Sequence, residues 1–159
     1  MSTDARPNGD PNAANRLRRS RRAGPFVLGL VGPAGAGKST VARALAAAGA
    51  RVVDADRLGH EVTDSDAEVR AALVAEYGAA VYRADGTLDR AQVAARVFSD
   101  PAALTRLNQL VHPRILTRLR GAITAAESEG YSGALVVDAA LVLDWGFERE
   151  CDAVLAVLA

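Results

Sequence analysis

Phe26-Val27-Leu28-Gly29-Leu30-Val31-Gly32-Pro33-Ala34-Gly35-Ala36-Gly37-Lys38-Ser39-Thr40 is the stretch on which the fold turns. Its first six residues form a short apolar run between Pro25 and Gly32, with the length and flanks of a strand buried on both faces. Residues 32–39 then fit the phosphate-binding loop pattern, with Gly32, Gly37, Lys38 and Ser39 at its fixed points. From about Ser39 onward Val41 and Leu45 share a helical face, and Gly49 suits a left-handed helix terminus. A loop between a strand end and a helix start directs backbone N–H groups and the positive end of the helix at one anion. Glycine is needed there because a Cβ would block close approach to phosphate oxygens. Pro33, Ala34, Gly35 and Ala36 complete the cradle, and Thr40 follows it. Lys38 is the single lysine, against eighteen arginines. A composition that uses Arg almost everywhere keeps a compact ammonium where a cation must reach the β and γ phosphates. Ser39 is the expected hydroxyl ligand of Mg²⁺, with Thr40 a less favoured neighbour.

Outward from this unit, strands and helices alternate. RVVD at 51–54 reads as a second strand, followed by a helical run through Leu58 and Val62. Ser65 and Glu68 have capping-box spacing before Val69, Leu73 and Tyr77, which recur every four residues up to Gly78. Residues 82–88 read as a loop around Asp85-Gly86, and Asp89 with Gln92 offers a cap ahead of Val93 and Val97. Asp100-Pro101 starts the next helix, with Leu104, Leu107 and Val111 inward; Pro113 opens or kinks a further helix through Ile115, Leu116, Leu119 and Ile123. ALVVD at 134–138 and AVLAVL at 153–158 are the third and fourth strands. This alternation predicts a parallel sheet covered on both faces.

Composition limits the function classes. The chain has 159 residues, one ordinary domain, and its 19 basic and 19 acidic groups cancel, giving no global reason to expect nucleic-acid or membrane binding. Residues 1–25 hold six Arg and two Asp and little that could form a core, so they read as a disordered basic tail ahead of a folded unit at 26–159. Cys151 alone forms no internal disulfide or thiolate zinc site and reads as a small core residue. With no long apolar run and no signal-type hydrophobic region, a soluble cytoplasmic protein is expected.

Phosphoryl transfer also needs a group to orient or take the acceptor's proton. Asp54 and Asp56 stand at the carboxyl end of the second strand, where open α/β sheets bind ligands, and Asp138 ends the third strand in the arrangement that holds Mg²⁺ directly or through water. Each could instead cap a following helix.

GLVGPAGAGKST at 29–40, VVDADRLGHEV at 52–62, ADGTLDR at 84–90 and LNQLVHP at 107–113 together resemble the dephospho-coenzyme A kinase family. The likeness runs from Phe26 to the end, and the last three motifs are far more specific than the first. It implies a three-layer α/β fold, a P-loop kinase-type parallel sheet with helices on both faces. It further implies transfer of the γ-phosphoryl of ATP to the 3′-hydroxyl of dephospho-CoA with Mg²⁺. By the same likeness Lys38 and Asp56 are the catalytic pair, with Asp56 orienting or deprotonating the hydroxyl. Asp54, His60 and His112 belong to the acceptor side, though His112, with Asn108 and Pro113, equally suits a helix start. Where the family reads Pro-Leu-Leu-Phe-Glu, this chain has Ala140-Leu141-Val142-Leu143-Asp144, a carboxylate one methylene shorter. The family continues into an Arg-bearing lid, a fifth strand and an adenine loop beyond the position of Ala159. A domain incomplete at its C-terminus, weakly active alone and with an unprotected fourth-strand edge, is therefore expected. A different P-loop small-molecule kinase and a non-catalytic ATP-binding fragment are the alternatives. A GTPase is disfavoured because no Asn-Lys-x-Asp motif exists.

Overall fold

The computed structural model describes residues 24–140 and 145–158; the basic segment 1–23 and Asp144 lie outside them. Four strands, β1 (Phe26–Val31), β2 (Arg51–Asp54), β3 (Ala134–Asp138) and β4 (Ala153–Ala156), form one sheet in the order β2-β3-β1-β4, all pairs parallel. The chain leaves β1 toward β2 on one side and ends at β4 on the other. The reversal opens a crevice at the carboxyl end of β1, where such sheets take ligands.

Residue alternation along the strands feeds two cores. Leu28, Leu30 and Val136 pack against Val41, Ala42 and Leu45 of α1 (Lys38–Ala47) on one face. Val27, Val31, Leu135 and Val137 join the larger core on the other face. That core is completed by α2 (Ala55–Ser65), α3 (Ala67–Tyr77), α4 (Arg90–Phe98) and α5 (Pro101–Ser128), through Val62, Leu73, Val93 and Leu119 among others. The three-layer parallel α/β expectation holds. Cys151 is buried beneath Gly29, where an added Cβ would come within 3.2 Å of its Sγ, and burial pushes its thiol up to about 11. No helix among the described residues is long and apolar enough to cross a membrane.

Four of the five α-helices among the described residues start on an aspartate whose carboxylate accepts backbone N–H groups: Asp54 from Arg57, Asp66 from Glu68 and Val69, Asp89 from Gln92, and Asp100 from Ala102. The Ser65 cap is corrected by this. Ser65 is the last residue of α2 and its hydroxyl donates to the Glu61 carbonyl at 2.6 Å, which leaves Asp66 to start α3. Pro113 does not open a helix either; it lies inside the single 28-residue helix α5, so His112 is no helix start. The buried stripe Ala103, Val111, Ile115 and Leu119 runs unbroken past the proline. That packing outweighs a local cost of ~3 kcal/mol for proline in a helix interior. The fourth strand is four residues long, with Val157 still donating to the Val31 carbonyl at 2.8 Å.

Candidate active site

α1 alone among the described α-helices has no side-chain cap. Its cap residue is Gly37, at φ +98°, and its first internal hydrogen bonds run from the N–H groups of Thr40 and Val41 to the Gly37 carbonyl. The preceding N–H groups therefore project from the helix end with no carboxylate in place to use them. Gly32 is fixed by a different constraint. At φ +149°, any Cβ there would lie 2.4 Å from the Val157 carbonyl oxygen, so the loop can pass the end of β4 only as glycine. Lys38 folds back over the loop, its Nζ donating to the Gly32 carbonyl at 2.8 Å and the Pro33 carbonyl at 3.4 Å. Ser39 and Thr40 are exposed, and the Thr40 hydroxyl accepts from Arg43 at 3.2 Å, which leaves Ser39 the less encumbered of the two.

The carboxylates gather at the same end of the sheet. Asp54 and Asp138 are register partners on β2 and β3, and Asp138 is the partner of Leu30 on β1, one residue before the end of that strand. Asp138 is half-buried, and burial, together with the charges of Asp54 and Asp56, lifts its carboxyl above the usual range against the pull of Lys38. Lys38 and the three aspartates thus share one electrostatic neighbourhood. Asp54 is occupied as the cap of α2, and Asp56, exposed in the first turn, points its chemistry outward from a fixed helix start.

A group whose folded pKa is raised binds its proton more tightly in the folded state, so ionised Asp138 opposes folding above its folded pKa. Asp138→Asn should therefore melt at a higher temperature than the parent at pH 7. The gap should close as pH falls through the raised folded pKa of Asp138 toward its unfolded value. Equal melting at pH 7, read by circular dichroism in both proteins, would contradict this unfavourable burial of a charged carboxylate.

His60 is exposed one helical turn beyond Asp56 and lines a cavity of about 540 Å³ between α2, α4 and α5. Val93, Val97 and Val111 make its wall apolar, with Arg90 and Asn108 adding polar groups beside His60. Sequence reasoning assigned no role to Arg90, and Asn108 entered only as part of a motif. Both lie within the stretches 84–90 and 107–113, but nothing in their spacing brings them together; three helices do. His112, in contrast, lies against Trp145, ring centroids 4.8 Å apart and tilted by 44°. It does not line the cavity. Asp144 falls outside the described residues.

The dephospho-CoA kinase family profile matches residues 26–159. The chain belongs to the dephospho-CoA kinase family. Among curated dephospho-CoA kinases, that of Deinococcus radiodurans is 47% identical over 133 residues, 84% of this chain and 62% of the relative. That of Dechloromonas aromatica is 39% identical over 133 residues, covering 83% and 62%. A crystal structure from Thermus thermophilus superposes with a TM-score of 0.67 at 30% identity, over 84% of this chain and 65% of the other. A dephospho-CoA kinase from Campylobacter jejuni shares the fold, with a TM-score of 0.65 at 19% identity over the same shares. The chain thus spans about 62% of the length of these two curated dephospho-CoA kinases.

Proposed function

We propose that this chain binds ATP on the loop 32–40 and directs its γ-phosphoryl to the 3′-hydroxyl of dephospho-CoA. The observation that carries the reading is the placement of an uncapped, glycine-lined helix start and its single lysine beside three aspartates at the carboxyl edge of one sheet. A polyphosphate held by backbone N–H groups and Lys38 needs an acceptor brought in from the side that bears Asp56. Asp56, on the first turn of α2, is the group that takes up or orients the hydroxyl proton. Asp54 fixes that turn through its hydrogen bond from the Arg57 N–H at 3.0 Å.

The donor set suits Mg²⁺: the Ser39 hydroxyl and the Asp138 carboxylate are hard oxygen ligands. Asp138 in particular is half-buried, with Lys38 drawing its carboxyl down while burial and the charges of Asp54 and Asp56 push it up. Among the described residues no group of three or more His, Cys, Asp or Glu is clustered as a cage. Mg²⁺ shared with phosphates needs only one or two protein oxygens. When bound, the ion neutralises charge on the β and γ phosphates.

The cavity beside His60 suits the acceptor's shape. Dephospho-CoA carries a long arm of alkyl and amide groups joined through a diphosphate to the adenosine that bears the reacting hydroxyl. A cavity with valine walls and His60, Arg90 and Asn108 among its lining can take the arm while the ribose stays near Asp56. The discriminating experiment is an acceptor panel with ATP and Mg²⁺: dephospho-CoA, a nucleoside monophosphate and a sugar. ADP release that depends on dephospho-CoA and yields the 3′-phosphate is expected. ADP release with another acceptor, and none with dephospho-CoA, would overturn the reading.

A further inference from the structure

Asp64 lies near the end of α2, outside every motif that carries the family resemblance, yet it organises the polar edge of the cavity. Its Oδ1 accepts the Leu88 N–H at 2.8 Å and forms an ion pair with the Arg90 Nη2 at 2.9 Å. Arg90 and Leu88 both line the cavity. The Arg90 Nη2 is further held by the His60 carbonyl at 3.1 Å and the Thr63 hydroxyl at 3.2 Å, while Nη1 donates to the Leu88 carbonyl at 3.3 Å. The backbone of Asp64 is pinned too, since Arg70 donates to its carbonyl at 2.6 Å and to that of Gly86 at 2.7 Å. One carboxylate therefore ties the end of α2 to the loop that precedes α4 and fixes the rotamer of an arginine in the cavity wall.

A guanidinium has five N–H donors. The contacts above commit both Nη2 protons and one on Nη1, leaving Nε–H and a second Nη1–H without an acceptor among the described residues. Neither partner is fully exposed, at 35% for the Arg90 side chain and 27% for that of Asp64.

We propose that Asp64 is a positioning residue for the acceptor: it holds Arg90 in place so that the remaining donors meet an anionic, phosphate-bearing part of the ligand in the cavity. This rests on the acceptor reading above and names the group that tunes it. The physical gain is preorganisation. A free arginine loses rotamer freedom when it grips a ligand, at a cost of about 0.5–1.5 kcal/mol per immobilised side chain, and here the ordering is already done. The protonation state is compatible. Burial works to raise the Asp64 carboxyl, but the Leu88 N–H and the hydrogen bond and charge of Arg90, helped by His60, leave it below the usual range. It therefore stays ionised at neutral pH.

The test is calorimetric titration of dephospho-CoA and, separately, ATP into the parent, Asp64→Asn, Asp64→Glu, Arg90→Gln and the Asp64→Asn/Arg90→Gln pair, with melting followed for each. Asp64→Asn should weaken dephospho-CoA about 3- to 10-fold through lost preorganisation. Arg90→Gln should cost about 10- to 100-fold through lost charge-assisted hydrogen bonds. The pair should bind as Arg90→Gln does, because Asp64 acts through Arg90. Asp64→Glu should recover part of the loss, and ATP binding should stay constant throughout. Additive losses, an equal loss for ATP, or unchanged dephospho-CoA binding in Asp64→Asn would each overturn the proposal. If the parent does not bind dephospho-CoA, the acceptor reading fails on its own. Inorganic pyrophosphate, titrated with ADP saturating the loop, then decides the positioning role by the same non-additive pattern, and its absence overturns it.

Discussion

Replacing Lys38 by alanine is expected to cut phosphoryl transfer about 10²–10³-fold, the range found when one preorganised donor is taken from a developing charge, and to weaken ATP binding as well. The reason lies in how little else there is to do its work. Lys38 is the only lysine in the chain, and its Nζ already sits against the Gly32 and Pro33 carbonyls, over the loop proposed to receive the phosphates. Lys38→Ala leaves the backbone N–H groups of the helix start in place, so some polyphosphate affinity should survive while turnover collapses. Arginine should not rescue it, because a planar, forked guanidinium cannot occupy the position of a compact ammonium held between two carbonyls. Steady-state rates together with ATP titration by calorimetry check this. Turnover and ATP affinity both within twofold of the parent would remove the loop from the mechanism.

Asp56→Asn is expected to lower kcat by about 10²–10⁴-fold, the usual contribution of a positioned general base, with ATP affinity nearly unchanged. Asparagine keeps the size of the side chain and its place on the exposed first turn of α2, so the helix and its Asp54 cap stay intact. Only the capacity to accept a proton is lost. The contrast with Lys38→Ala is the informative part: one variant should damage nucleotide binding and turnover, the other turnover alone. An Asp56→Asn rate within a few-fold of the parent would shift the base role to another carboxylate, with Asp138 the nearest in charge environment.

The parts of this molecule that sequence reading recovered are those encoded over short stretches. FVLGLV and ALVVD became the buried strands β1 and β3, and RVVD the more exposed edge strand β2, because short β-rich runs with clear flanks specify strands locally. The loop 32–39 was legible because Gly32 and Gly37 answer to backbone constraints that no other residue meets. The misreadings had tertiary causes. Pro113 reads as opening or kinking a helix, and the opening fails because the buried faces of Val111 and Ile115 carry α5 through it. Ser65 and Asp66 are adjacent capping candidates, and which one caps depends on where α2 stops. The cavity was invisible for the same reason, since His60, Arg90 and Asn108 come from three helices whose packing no local spacing records. Asp64 shows the limit most clearly. In sequence it is one acidic residue between Thr63 and Ser65, and only the fold places it against Leu88 and Arg90.

The claim beneath all of this is that the loop 32–40 and Asp56 serve one reacting centre. A crystal structure of the chain with ADP and dephospho-CoA bound tests it directly. The account predicts the ADP phosphates on the loop, with Lys38 on the β-phosphate, and the ribose 3′-oxygen within hydrogen-bond reach of the Asp56 carboxylate, ~2.6–3.2 Å. A 3′-oxygen facing away from Asp56, or ADP seated elsewhere than on the loop, would contradict it.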